Sequence, residues 1–282
     1  HTPLSVREGR MGMPVDHFSV GFVTPVTAYV ISSVGSMLGL LLTSRARVAG
    51  GRAGAFWLVG AAFAIGGTGI WTMHFIAMLG FSVPGMTIRY NVPLTVVSAL
   101  IAIVVVGAGL FLASYGGDSL IYLAGGGLLT GIGVASMHYL GMAAMNMSAH
   151  VSYDPAVVSI SVLIAIAAAT VALWFTVRVS GTLKIGAAAL VMGLAVAGMH
   201  YTGMASMSVT PHHEPVAVSG AAAIDFLLPL IVGTSLITVG LLLAVLLSPS
   251  EKELRSEAAY RARLRAHDEG APETDLFGTP RR

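Results

Sequence analysis

Residues 92–113 have the sequence VPLTVVSALIAIVVVGAGLFLA, a run without one charged side chain. About 20 predominantly apolar residues in a helix are enough to cross the hydrocarbon core of a bilayer. This segment therefore has the length and composition of a transmembrane helix, and six others share its character. The seven predicted spans are residues 18–42, 54–81, 92–113, 120–147, 156–177, 185–209 and 225–247.

The composition of the whole chain agrees with this interpretation. Apolar residues make up 55% of the 282 residues and charged residues 10%, and the mean hydropathy is +0.83. A soluble domain carries about 25% charged residues. The chain has no cysteine, which excludes disulfides, thiolate ligands and cysteine nucleophiles. No catalytic constellation, phosphate-binding loop or nucleic-acid surface stands out, so we expect neither an enzyme nor a nucleic-acid partner.

The distribution of basic residues predicts the orientation in the membrane. Twelve of the fifteen Lys and Arg residues follow odd-numbered spans or lie in the C-terminal segment, and only Arg7, Arg10 and Arg89 fall on the other side. Cytoplasmic connections are enriched in Lys and Arg. We predict an all-α membrane protein with seven transmembrane helices, its N-terminus outside and its C-terminus in the cytoplasm. It is divided into an extracellular segment (1–15), a membrane domain (16–248) and a cytoplasmic helix with a disordered tail (249–282).

A short motif recurs near the end of each even-numbered span. The three copies are TMHFIAM (72–78), SMHYLGM (136–142) and GMHYTGM (198–204), and their histidines are 64 and 62 residues apart. Repeated helical units are common in membrane bundles. The chain is therefore predicted to contain three repeated helix pairs followed by a final helix.

Each copy of the motif presents one histidine and one methionine on the same helix face. These residues are four apart, which places them one turn apart on a helix. Small residues seven positions before each histidine let neighbouring helices approach closely. We therefore expect the three faces to meet at one level in the outer leaflet. The His/Met pairs are His74/Met78, His138/Met142 and His200/Met204, and the glycines are Gly67, Gly131 and Gly193.

Histidine and methionine in this arrangement suggest a metal site. A histidine inside the membrane is a functional candidate by default. Imidazole suits copper, iron, zinc and nickel, and a thioether shifts the preference to Cu(I). Copper is therefore the expected cofactor, with haem iron held by paired imidazoles as the alternative. Further candidate ligands, each of which could instead be an ordinary packing residue, are His17 and the first methionines of the motifs, Met73, Met137 and Met199.

The sequence Met-His-Tyr-Thr at residues 199–202, with the threefold layout over residues 16–247, resembles the MHYT domain, a bacterial integral-membrane sensor domain. The resemblance implies a copper site built from His74, Met78, His138, Met142, His200 and Met204. It also implies a location in the bacterial inner membrane, detection of oxygen, carbon monoxide or nitric oxide, and a cytoplasmic signalling partner. The first copy, Met-His-Phe-Ile-Ala-Met, lacks the tyrosine and the glycine. Copper storage, transfer or transport, and a haem-binding redox function, remain alternatives.

Overall fold

The computed structural model describes residues 14–117, 119–211, 217–248 and 251–270. Eight helices and five short strands lie within these ranges. The helices are α1 (Val23–Ala49), α2 (Gly51–Met78), α3 (Val92–Tyr115), α4 (Leu120–Ala143), α5 (Pro155–Arg178), α6 (Thr182–Ala205), α7 (Ala223–Leu247) and α8 (Glu251–Gly270). The strands are β1 (Arg89–Tyr90), β2 (Met145–Asn146), β3 (Ala149–Tyr153), β4 (Met207–Pro211) and β5 (Ala221–Ala222).

Helices α1 to α7 are long and apolar enough to cross a bilayer, which confirms the prediction of seven helical spans. Helix α2 is the most buried of the seven, whereas α7 lies at the periphery of the bundle and buries only Leu227, Thr238 and Val245. Most of the predicted N-terminal segment and of the C-terminal tail lies outside the described residues.

The helices α3 and α5 begin at side-chain caps that the sequence repeats. The Asn91 side chain accepts a hydrogen bond from the backbone of Leu94, and Asp154 accepts from Ala156 and Val157. Such caps satisfy the unpaired N–H groups of a first helical turn, and a proline at that turn has no N–H to leave unpaired. The similar sequences before these two helices thus encode similar starts.

Helix α1 continues past the predicted end of the first span. Arg45 and Arg47, which we expected in a connecting loop, lie in its last turns. Arg45 donates to the carbonyl of Val245 at the end of α7, and Arg47 donates to those of Thr176 and Val179 at the end of α5. The helix can be longer than its apolar stretch because these side chains bind carbonyls that end other helices.

Strands cover the end of the bundle at which α2, α4 and α6 end, called here the strand-bearing end. Strand β1 lies between β2 and β5, and β3 pairs with β4, all antiparallel. The predicted spans 120–147 and 185–209 were therefore too long, because α4 ends at Ala143 and α6 at Ala205. Apolar residues such as Met145 and Val209 continue the hydrophobic pattern in strands that pack on the bundle.

Close helix contacts use the predicted glycines in two of the three copies. A Cβ atom at Gly131 or Gly193 would overlap Ile166 of α5 or Ser33 of α1. In the first copy the prediction of Gly67 was wrong. The equivalent contact is made by Gly66, where a Cβ atom would lie 2.7 Å from the carbonyl oxygen of Ala102.

The shift by one residue follows from a local change in helix type. Residues Phe63–Thr72 of α2 form a π-helix, whose i→i+5 hydrogen bonds place more residues in each turn. The wider turns add one residue between the contact glycine and His74, compared with the other two copies. The histidine nevertheless reaches the same end of the bundle.

Candidate metal centre

One histidine lies near the end of each even-numbered helix, at the strand-bearing end. His74 belongs to α2, His138 to α4 and His200 to α6, and no more than 1% of any of these side chains is exposed. Each repeat thus supplies one fully buried imidazole to the same region of the bundle.

The three imidazoles converge on one point through their Nδ1 atoms. The Nδ1 atom of His74 lies 3.0 Å from that of His200 and 3.2 Å from that of His138. The three ring planes are nearly perpendicular to one another, with interplanar angles of 81° to 88°. One nitrogen from each ring lies within 4.8 Å of both others, so the group could hold a metal ion.

The spacing of these nitrogens fits a single ion. Nitrogen ligands at about 2.0–2.1 Å from a metal are about 3.3–3.6 Å apart in tetrahedral or trigonal geometry. The observed separations of 3.0 and 3.2 Å are slightly shorter. A small outward movement of the rings would therefore accommodate an ion between them.

Glycines of neighbouring copies make the room in which two of the rings lie. A Cβ atom at Gly141 would overlap Nε2 of His74, and one at Gly203 would overlap Nε2 of His138. These glycines stand three residues after the histidine in the second and third copies. Ala77 has that position in the first copy. These two glycines were not among the predicted contact residues, although the glycine shared by the motifs of the second and third copies was the available signal.

The Nε2 atoms of His74 and His138 are buried without a hydrogen-bond partner among the described residues. A neutral imidazole has one donor and one acceptor nitrogen. The single Nδ1 lone pair of His74 can accept a full hydrogen bond from only one of its two neighbours, and the Nε2 atoms of His74 and His138 stay unpaired. Leaving a buried polar group unpaired costs about 1–3 kcal/mol. A cation would engage all three Nδ1 lone pairs at once, which the rings cannot do for one another, and this supports the group as a metal site.

The predicted methionine ligands are all buried on the same helices. Met78, Met142 and Met204 lie one turn beyond the histidines and join the main apolar core. The first methionines of the motifs are equally buried but differ in surroundings. Met137 and Met199 belong to the main core, whereas Met73 packs in a separate cluster with Ala28.

His17 is not one of the three histidines whose nitrogens lie within 4.8 Å of one another, but its neighbour Phe18 contacts Tyr201, the residue after His200. The His17 ring is half-buried, and its centroid is 5.6 Å from that of Phe81. Its Nδ1 atom has no hydrogen-bond partner among the described residues. Burial lowers the pKa of His17, while the charge of Asp16 opposes this shift. The neutral imidazole is therefore favoured in the folded chain.

An apolar cavity lies between the histidines and the opposite end of the bundle. Its volume is about 50 Å³, and its lining is almost entirely apolar. Val134, one turn before His138, and Met199, directly before His200, border the cavity on the side of the histidines. Ala169 of α5 borders it deeper in the bundle. Such cavities stay dry and accept small apolar molecules.

Seven apolar helices around buried histidines define a multi-pass membrane protein with a potential metal-binding centre. Residues 67–126 and 131–189 match the family MHYT, described as a bacterial signalling protein N terminal repeat. The chain therefore carries MHYT repeats, which confirms the resemblance seen in the sequence. Each match begins at or close to the glycine that precedes a motif. The third copy, which contains Met-His-Tyr-Thr, lies beyond the matched residues.

Curated relatives of this chain are larger signalling proteins. The bifunctional diguanylate cyclase/cyclic di-GMP phosphodiesterase MucR of Pseudomonas aeruginosa is 36% identical over 245 residues, which cover 85% of this chain and 36% of MucR. An uncharacterized signaling protein of Caulobacter vibrioides is 31% identical over 90% of this chain and 33% of its own length. The signaling protein YkoW of Bacillus subtilis is 32% identical over 68% of this chain and 24% of its own length. The chain thus spans about a third or less of these relatives, and no solved structure matches it.

Proposed function

We propose that this chain is a copper-binding sensor domain that detects a diatomic gas and signals across the bacterial inner membrane. The observation that carries the proposal is the convergence of three buried Nδ1 atoms, one from each repeat. Three imidazoles in contact are unfavourable in a purely structural core, because each of their buried nitrogens needs a hydrogen-bond partner.

The donor set favours copper over other ions. His74, His138 and His200 offer neutral nitrogen ligands, and the adjacent buried methionines offer thioethers, a combination that suits Cu(I). No carboxylate belongs to the group within the described residues. A haem would need two of these nitrogens on opposite faces of a macrocycle, whereas they lie 3.0 and 3.2 Å apart. The arrangement therefore fits a single ion better than a haem.

A gas is a suitable ligand for this site. His74, His138 and His200 would hold the ion, and a copper ion held there would supply a binding point for oxygen, carbon monoxide or nitric oxide. The apolar cavity that reaches Met199 supports this choice, because diatomic gases partition into dry apolar space. Ions and polar solutes would be excluded from it.

The direction of signalling follows from the charge distribution. The strand-bearing end would face outward, since most Lys and Arg residues belong to the opposite end. Movement of α2, α4 and α6 on gas binding would pass to the cytoplasmic end, where α8 continues the chain. The names of the relatives, which include cyclic di-GMP enzymes, support an output in signalling. The membrane domain itself would bind and transmit and would have no enzymatic activity.

Metal analysis of the purified full chain tests this proposal. The protein, without an added histidine tag, should contain copper after growth in copper-supplemented medium and should show no haem absorption band. His138→Ala should remove most of the copper while the protein still inserts, and Met37→Leu, at a lipid-facing position, should leave the copper content unchanged.

Carbon monoxide should then produce a C–O stretching band in the infrared spectrum of the copper form. Absence of copper, or its retention in His138→Ala, would refute the shared site. Copper without a gas signal would favour copper handling.

A further inference from the structure

A pocket lined by methionine and histidine opens at the strand-bearing end next to the second repeat. It has a volume of about 470 Å³ and lies between α4, the strands β2 and β3, and residues 217–219. Its donors are Met142, Met145, Met147 and His150. Of these, only Met142 belongs to the site already described.

The four donors form a gradient from solvent toward the metal centre. His150 is exposed and Met147 is half-buried, whereas 7% of Met145 and 2% of Met142 are exposed. Met142 in turn lies one helical turn beyond His138, on the same face of α4. Soft donors therefore follow one another from the surface to the edge of the three-histidine group.

Strand pairing and side-chain hydrogen bonds hold the walls of the pocket in place. Met145 pairs with Tyr90 of β1, and the Asn146 side chain donates to the carbonyl of Ser219 at 2.9 Å. The Arg89 side chain donates to the carbonyl of Gly220 at 3.0 Å. These contacts hold the segment after residue 216 against β1 and β2, so the pocket is part of the folded structure.

Among the described residues, the second repeat carries this accessible series of methionine and histidine side chains. The residue seven positions after each histidine is Phe81, Met145 or Met207. In the first repeat the buried Phe81 has no donor atom at this place. In the third repeat Met207 is buried, and as the first residue of β4 it pairs with Tyr153 of β3. The accessible series of donors thus leads to His138 in particular.

We propose that this Met-His pocket captures Cu(I) from the aqueous side and passes it through the thioethers of Met147, Met145 and Met142 to the three histidines. Thioether and imidazole select a soft monovalent ion, and no cysteine or carboxylate lines the described part of the pocket. The ion exchanges ligands along the series, and its oxidation state does not change. The inference rests on the copper site proposed above and adds the route by which that site is filled.

Kinetics of copper uptake test the route separately from the site. The full chain in detergent would be mixed anaerobically with the Cu(I) complex of bicinchoninate, and loss of the complex's absorbance would report both the rate and the final amount of copper taken up. The test variant is Met145→Leu/Met147→Leu, which removes two thioethers with little change in volume. The control is Met86→Leu, a half-buried methionine in an outer segment that does not line the pocket.

We expect the double variant to bind as much copper as the unaltered chain but at least about tenfold more slowly, which corresponds to about 1.4 kcal/mol in activation free energy. Met86→Leu should load at the normal rate. Equal rates in all three proteins would overturn the route and leave the copper site standing. A lower final amount in the double variant would also overturn it, because these methionines would then be ligands of the final site. No uptake by the unaltered chain would refute the copper site and the route together.

Discussion

Replacement of Gly203 by alanine should disturb the metal centre although Gly203 is not itself a proposed ligand. The added Cβ atom would overlap Nε2 of His138, which belongs to the preceding repeat. The His138 ring must therefore move, and its Nδ1 atom must leave the position 3.2 Å from that of His74. The Gly198→Ala variant is a matched control, because it lies on the same helix near His200 and a Cβ atom there meets nothing within 4 Å.

The size of the effect can be worked out from two opposing contributions. Alanine in place of glycine stabilises a helix interior by about 0.5–1 kcal/mol. Overpacking of a buried site costs about 1–3 kcal/mol. Gly203→Ala should therefore lower the free energy of unfolding by up to about 2.5 kcal/mol, whereas Gly198→Ala should leave it unchanged or raise it slightly. Loss of support for a metal ligand weakens binding by about 10- to 100-fold, or about 1.4–2.7 kcal/mol.

Competition between the protein and a chromophoric Cu(I) chelator would measure the affinity, and thermal unfolding would measure the stability. The expected result is weaker copper binding in Gly203→Ala and an unchanged affinity in Gly198→Ala. Equal affinities in the two variants, with both proteins folded, would show that the His138 ring is not held in place by Gly203. The glycine of one repeat would then not position the histidine of the preceding repeat.

Three further predictions concern other parts of the molecule. Ala169→Leu should fill part of the apolar cavity and slow carbon monoxide binding in flash-photolysis experiments while copper content is unchanged, and an unchanged rate would exclude the cavity as a gas path. Arg47→Met should lower the free energy of unfolding by about 0.5–1.5 kcal/mol, because it removes partly exposed hydrogen bonds to carbonyls at the end of α5. Arg52→Met, at an equally exposed arginine near the start of α2, is the control, and equal stabilities would contradict the assignment. Burial lowers the pKa of His17 below its unfolded value of about 6.5, so protonation favours unfolding. The contribution of the neutral ring to the free energy of unfolding is complete above the unfolded pKa and is lost as the pH falls from there through the lower folded pKa. His17→Gln should therefore lose less thermal stability than the unaltered chain between neutral and mildly acidic pH, and equal losses would argue against this origin.

The sequence by itself determined the membrane class, the number of spans and the repeated motif. Runs such as residues 92–113 can only be helical in a bilayer, because every backbone polar group must be paired within the segment. The spacing of His74, His138 and His200 at equivalent places in three repeats was enough to predict that they meet. These features depend on local composition and period, which a sequence displays directly.

Only the tertiary structure decided how the three repeats meet and what surrounds the centre. The contacts of Gly141 with His74 and of Gly203 with His138 join residues 67 and 65 positions apart, so no local pattern reports them. The use of Gly66 in place of Gly67 at a helix contact depends on the π-helix in α2, which the motif spacing in the sequence does not display. The Met-His pocket exists because the helix α4 ends before Met145, which joins β2, and before Met147, which follows that strand, whereas their hydrophobicity alone continues the pattern of a span.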